Sequence, residues 1–431
     1  MVKSWSDERC SKMGFLGGAS VGIGGMVGGG IFAVLGMAAV LGKGGTPISF
    51  AIAGIVAFLT AYGYSKLSVY FQDDGGTIAF LTKGFGNNWV SASLNFLALL
   101  SYVVMLGLYS CAFGHYAATF AKPEHQKLIF HLCVCFAIIG PALLNILESK
   151  HFGTVLFYIV ALKVAILIFF VIIGFIEFQP AMVFGTKWPS FISLAEAGML
   201  IFVANEGFEL IANTSEEITN PKKNIPRAFA ICLISVTILY ILVSLCTVGV
   251  LTPAQISASK EFVLAEAARP ALGQTGFTII AIAALLATFS AIKSTLFGTS
   301  RITARIASNK QLPKIMAHRF KGRPLVSLFS LTVLGLLFAN FVDLRLISIL
   351  GSAGFLILFT AVNIVNLLLH KKTNSRLWIA IFAPLASTTS LIVLMIHTAK
   401  TDLSHLYVLL GLLAVSLIYG VIYCSSRSYG K

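Results

Sequence analysis

Six glycines fall within the eleven residues GIGGMVGGGIF, at Gly22, Gly24, Gly25, Gly28, Gly29 and Gly30. Each glycine costs a helix roughly 1 kcal/mol relative to alanine, so a cluster this dense marks a place where a helix opens. An opened helix offers backbone chemistry. Free N–H groups stand at the start of one half, with the positive end of its dipole behind them, and free carbonyls end the other half. The N–H cluster suits a carboxylate, and the carbonyls suit an ammonium or another cation. An amino acid carries both groups on one carbon. Close helix packing is the alternative use of the run: Gly18/Gly22, Gly24/Gly28 and Gly25/Gly29 fit the small-xxx-small pattern, although packing needs one glycine face and this run covers every face. A nucleotide-binding glycine loop fits less well, because no strand precedes Gly22 and position 27 is Val27.

A second cluster lies in LIFVANEGFELIANTSEE, where Asn205, Glu206, Gly207 and Glu209 interrupt an apolar segment halfway along. Two basic residues sit in equally apolar surroundings, Lys163 in IVALKVAIL and Lys293 in TFSAIKSTLFG. An ammonium at mid-membrane costs at least about 2.5–3.5 kcal/mol. A lysine that is charged when water reaches it and neutral when sealed is what a proton carrier needs; the structural alternative is a lysine bonded to a carbonyl. Lys293 either lines a pathway or pairs with an acid such as Glu209. Tyr102 and Tyr109 are candidate pocket walls, and Glu196 reads as interfacial. His115, His125 and His131 are scattered, no acid or histidine cluster has metal-ligand spacing, and no serine or cysteine sits beside a base. The seven cysteines imply neither a disulfide framework nor a metal site. Enzymatic chemistry and a metal are therefore not expected.

The elements that must position these groups are long apolar helices. Of 431 residues, 57% are hydrophobic and 11% charged, with a mean hydropathy of +0.90. Apolar runs of about 18 residues or more recur throughout, too long and uniform for barrel strands. The expectation is an all-α polytopic membrane protein with twelve spans, at roughly 15–41, 46–66, 88–120, 127–147, 152–177, 193–214, 227–251, 275–304, 324–341, 346–369, 376–397 and 404–424. The first run is too long and glycine-broken for a cleaved leader. A formal charge of +15 would point to nucleic acid in a soluble chain; here its distribution decides. Of 31 Lys/Arg, 21 fall on the tails and even-numbered loops and 8 on the odd-numbered loops, which places both termini in the cytoplasm. The expected location is the plasma (inner) membrane, with lipid and no nucleic acid as partners; the oligomeric state is open.

Between spans, residues 66–87 read as a turn followed by a short interfacial helix, and SEEITNPKKNIP (215–226) ends in a proline that can open the seventh span. Residues 301–323 carry seven basic residues and read as a solvated face. Spans 1 and 6, five apart, are each interrupted near the middle. Matching interruptions in two halves point to inverted repeats around a midplane site. The repeats would be residues 15–177 and 193–369, with 376–424 peripheral, all in one transmembrane domain.

GGMVGGGIF, the GFE at 207–209, EEITNPKKNIPRA at 216–228 and SR…LP at 300–313 resemble the amino acid–polyamine–organocation superfamily. YGYSKLSVYFQDDGGTIAFLTKGFG (62–86) and ALKVAILIFF (161–170) resemble its ApcT-type proton-coupled amino-acid transporters. The resemblance covers roughly residues 15–425. It implies a LeuT-like fold with discontinuous helices 1 and 6, alternating access, and amino-acid uptake driven by a proton gradient, with no cofactor. It implies that the substrate carboxylate meets amides near Gly28, Gly29 and Gly30, and its ammonium the carbonyls near Met26, Val203, Ala204 and Glu206, with Gly25 and Gly207 also expected at the substrate site. It also implies that Lys163 stands near the carbonyls of span 1 and Ser290 or Ser294, where relatives bind sodium. Glu209, in the GFE motif, is a candidate partner or relay in proton coupling. Glu206 departs from many members: it either faces the cavity, selecting cations or a second proton, or bonds the freed backbone. Symport, exchange within the same fold, and a channel or sensor remain distinct outcomes.

Overall fold

Glycines, prolines and short polar turns cut the apolar chain into helices, and a computed structural model describes residues 13–73, 75–147, 152–185, 187–320 and 322–428. In chain order these are α1 (Phe15–Met26), α2 (Gly30–Gly42), α3 (Thr46–Phe71), α4 (Gly76–Phe85), α5 (Trp89–Ala118), α6 (Gln126–Leu147), α7 (Phe152–Ile176), α8 (Pro180–Phe184) and α9 (Phe191–Leu200). After two 3-10 segments, Phe202–Asn205 and Phe208–Thr214, come α10 (Pro221–Val250), α11 (Pro253–Ala258), α12 (Val263–Ala267), α13 (Arg269–Ser308), α14 (Leu325–Phe341), α15 (Leu344–Leu368), α16 (Leu377–Thr401) and α17 (Leu403–Ser428). No named strand occurs among the described residues. Cys10, the basic residues of the N-terminal tail and Lys321 lie outside the described residues.

Nine helical runs are long and apolar enough to cross a membrane among the described residues, and the pair Phe191–Leu200 and Phe202–Thr214, bent by 60°, makes a tenth. Two of the twelve expected spans account for the difference. Gly30–Phe71 counts as one run, although Lys43 (φ 47°) ends α2 and the 3-10 turn at Lys43–Gly45 leads into α3. Leu325–Phe341 has 17 residues and reaches only about 26 Å, short of a hydrocarbon core of about 30 Å.

Other boundaries differ for local reasons. The expected short helix between spans 2 and 3 is α4. The seventh span starts earlier than expected: Pro221, not Pro226, stands in its first turn. Pro226 lies in the second turn, where it leaves the Lys222 carbonyl without its intrahelical donor. The eighth span extends to Arg269–Ser308 across a kink at Gly273 (φ 59°).

α5 forms the axis of the bundle. Of its most apolar stretch 89% is buried, against 17% for α17 and 28% for α6 and α16, which lie at the rim. Rim side chains such as Leu132, Phe136, Leu385 and Ile418 are exposed and apolar, as lipid contact demands. Small residues allow close contact inside: Gly54 of α3 meets Thr237 of α10, and Gly107 of α5 meets Phe338 of α14.

Polar bonds fasten the side that carries both chain ends. Met13 pairs with the 217–219 turn, Tyr419 donates to the Gln311 carbonyl at 3.1 Å and Tyr423 to the Leu312 carbonyl at 2.8 Å. On the same side Asp73 accepts bonds from the Gly75 amide (2.8 Å), Lys83 (2.5 Å) and Arg305 (2.5 Å). Arg305, expected on a solvated face, is therefore tied across the bundle. Burial alone would raise the Asp73 carboxyl, but the Lys83, Gly75 and Arg305 contacts hold it below its ordinary value. The opposite side holds a cavity of about 540 Å³, lined by residues including Met37, His115, Leu200, Lys260 and Arg345.

Candidate functional site

α1 and α2 are collinear in sequence but separated at Val27–Gly29. α1 closes with the Val27 amide on the Ile23 carbonyl at 2.7 Å. α2 begins at Gly30, and its Ala33 amide reaches the Gly29 carbonyl at 3.0 Å. The amides of Gly28, Gly29 and Gly30 have no hydrogen-bond partner among the described residues. These are the orphan donors that any helix start leaves, here buried at the centre of the bundle.

Both uses of the glycine run occur together. Along α1 the glycines admit neighbours: an added Cβ would come within 2.9 Å of Ile218 at Gly18, 2.7 Å of Ile211 and Cys232 at Gly22, and 2.6 Å of Val160 at Gly24. At the break the same test meets backbone and the pocket wall. A Cβ on Gly25 would lie 2.7 Å from the Gly207 carbonyl, on Gly28 3.1 Å from Ala291, and on Gly30 3.0 Å from the Ala204 Cα. The Tyr109 ring fills the space beside Gly29. The two interrupted segments thus touch backbone to backbone through Gly25 and Gly207.

The second break is finished differently. The Leu200 carbonyl accepts from Ser348 at 2.7 Å and Ser352 at 3.0 Å, and the Val203 amide donates to Ser352 at 3.0 Å. Gly207 adopts φ 114°, which side chains resist, and its amide donates to Glu209 Oε2 at 2.8 Å. Tyr109 donates to Glu206 Oε2 at 3.3 Å. Asn205 is fully buried, and its amide group has no partner among the described residues; the same is true of Glu209 Oε1. Gly24, Gly25, Tyr102, Tyr109, Glu206 and Gly207 are among the walls of a cavity of about 40 Å³, room for about one water.

Met26, expected to offer its carbonyl, already accepts from Tyr240 at 2.6 Å. Val203 and Ala204 lie in the 3-10 turn before the break, with Ala204 against Gly30. Lys163 is 5% exposed and has no hydrogen bond or ion pair among the described residues. It lies three residues, about 4.5 Å of helix rise, beyond Val160, which packs on Gly24. Of the two serines proposed beside it, Ser290 is buried with its hydroxyl unpartnered among the described residues, and Ser294 lines the small cavity. Lys293 does not pair with Glu209; its carbonyl accepts from Asn145 at 3.1 Å. Glu196, expected to be merely interfacial, meets His397 at 3.1 Å and Lys400 at 3.8 Å.

Sequence reasoning missed Tyr240, Ser348 and Ser352. The serines lie four apart, on one helix face, a spacing too common in helices to single them out.

The amino acid permease family model matches residues 13–422. The chain belongs to the amino acid permease family. The permease is 31% identical over 426 residues to the inner membrane transport protein YbaT of Escherichia coli, covering 98% of each chain. It is 26% identical over 379 residues to the methylthioribose transporter of Bacillus subtilis, covering 82% of this chain and 79% of that one. It is 24% identical over 401 residues to the branched-chain amino acid permease BcaP of the same organism, covering 86% and 84%. The permease is accordingly a multi-pass membrane protein, and its family points to small amino-acid substrates and transport rather than catalysis.

Proposed function

We propose that this permease is a secondary active carrier that moves amino acids by alternating access, in symport with protons. One observation carries the reading: two interrupted helices meet at mid-bundle, and one of them leaves the amides of Gly28, Gly29 and Gly30 bare. A carboxylate docked there gains three donors and the favourable end of the α2 dipole. Its ammonium then faces the second break, around Val203, Ala204, Glu206 and Gly207. The Met26 carbonyl takes part only through the lone pair Tyr240 leaves free. Twelve spans arranged as two inverted five-helix repeats, 15–177 and 193–369, with α16 and α17 peripheral, accommodate the interruptions in spans 1 and 6; both termini are then cytoplasmic.

For proton coupling we assign Lys163, with Ser290 and Ser294 as its polar neighbours and Glu209 as a relay. A buried amine lacking a partner is stable as the neutral form and takes a proton when the site is wetted. The alternation of those two conditions with substrate occlusion supplies the coupling.

The test is uptake into proteoliposomes of purified permease across a panel of labelled amino acids, with pH and sodium gradients imposed separately. Concentrative uptake under an inward proton gradient alone, with no internal substrate, is the expected result. Uptake that requires internal amino acid makes the permease an exchanger, and transport that never exceeds equilibrium removes active coupling altogether.

A further inference from the structure

Beside the bare amides stand two acids, with which no base pairs among the described residues. Glu206 and Glu209 are 6% and 1% exposed, three residues apart across the turn at Gly207, and their side chains interact. The titratable groups facing them are Tyr102 and Tyr109 from α5, Tyr64 from α3, and Tyr240 and Cys232 from α10. None of these is a cation. Lys163 on α7 and Lys293 on α13, the basic residues that the sequence puts at mid-membrane, pair with neither acid among the described residues.

Two adjacent carboxylates in a dry interior without a counter-cation do not both stay charged: desolvation and like-charge repulsion act together against it. The surroundings separate the two. Glu209 accepts the Gly207 amide at 2.8 Å, a bond that favours its ionised form, and it is not among the residues lining the small cavity. Glu206 lines that cavity, accepts from the Tyr109 hydroxyl at 3.3 Å and faces Glu209, with no backbone amide bonded to it among the described residues.

We propose that Glu206 holds a proton in the empty site and that the ammonium group of the substrate takes its place, so that each substrate bound releases one proton. The carboxylic O–H bond of Glu206 breaks, the proton leaves to water, and carboxylate and ammonium form an ion pair across the cavity; no other bond changes. This rests on the amino-acid reading of the site and deepens it, because Glu206 rather than the already bonded Met26 carbonyl becomes the principal seat of the ammonium. Proton and substrate thus exchange at Glu206 and load together at Lys163, and net symport follows when Glu206 regains its proton on the side where it gave it up, so that the exchange carries no proton across.

The experiment is calorimetric titration of purified permease with L-alanine, L-leucine and L-lysine, in buffers of different ionisation enthalpy and over a range of pH, using Lys163→Gln to remove the other titrating group. Lys163→Gln should release about one proton per substrate bound, with affinity improving about tenfold per pH unit while that exchange operates. Adding Glu206→Gln should abolish both the release and the slope. Infrared difference spectra of the wild type, which need no substitution, should lose a protonated-carboxyl band on substrate addition. Binding without proton release, release unchanged by Glu206→Gln, or no loss of the carboxyl band overturns the assignment while leaving the amino-acid reading intact. Failure of all three amino acids to bind the wild type overturns both.

Discussion

At the break between α1 and α2 the amides of Gly28, Gly29 and Gly30 stand without partners among the described residues, whereas at the second break Ser348 and Ser352 take up the Leu200 carbonyl and the Val203 amide. Both interruptions free backbone groups at the same depth. An unpaired buried amide costs about 1–3 kcal/mol, so a chain that closes one break and leaves the other open has a built-in gain waiting for a ligand. The glycine break is where a carboxylate lowers the free energy. The serine-finished break is a scaffold that keeps Glu206 and Gly207 in place.

The comparison breaks most sharply at Gly29. A leucine there must displace the Tyr109 ring and crowd Thr288, whose Cγ2 lies 3.0 Å from the position a Cβ would take. Amino-acid affinity should fall by about 100-fold or more, near 3 kcal/mol, in protein whose thermal unfolding is still cooperative. Unchanged affinity would remove the backbone-ligand argument. Next in size is Lys163→Gln, which should abolish accumulation under an inward proton gradient in proteoliposomes while substrate still binds. If that variant concentrates substrate as the wild type does, the coupling role belongs elsewhere.

These two positions were legible in the sequence because each violates a local rule: glycine where helix is needed, and an ammonium where lipid is expected. The short helix α4 and the polar interruption at 205–209 were readable for the same reason. What finishes the second break was not, because Ser348 and Leu200 are 148 residues apart, and an ordinary serine in a helix violates nothing. Tyr240, which donates to Met26 from 214 residues away, is the same case. Lys293 shows the limit from the other side: its position is anomalous, but the anomaly does not say which partner it takes, and of its two readings the pairing with Glu209 is not formed among the described residues.

The scaffold half of the comparison is sharpened by Ser352→Ala. That change removes one of two donors to the Leu200 carbonyl and strands the Val203 amide, which is buried against α15. Stability should drop by about 1–3 kcal/mol, read as a lower unfolding midpoint in detergent, with affinity changed only a few-fold. A loss of affinity as deep as that at Gly29, with the midpoint unmoved, would mean that the second break is a ligand surface and not a support.

The smallest expected effect tests whether the side carrying the chain ends is fastened independently of either break. The Asp73 carboxyl, although burial opposes its ionisation, is held below its ordinary value of 3.8 by Lys83, Gly75 and Arg305. A carboxyl lowered in the folded protein contributes stability that is complete above its unfolded value and is lost as the pH falls through the folded one. The latch is therefore intact at neutral pH and weakens only below about pH 4. Asp73→Asn should flatten that acid limb of the stability curve and lower the midpoint modestly at pH 7, because an amide still accepts the Gly75 bond but gives no charge to Lys83 and Arg305. Substrate affinity should be unchanged in the variant, since Asp73 lines neither the small cavity nor the bare amides. A variant whose acid limb matches the wild type would place the weakening in other carboxyls and leave Asp73 a hydrogen-bond acceptor alone.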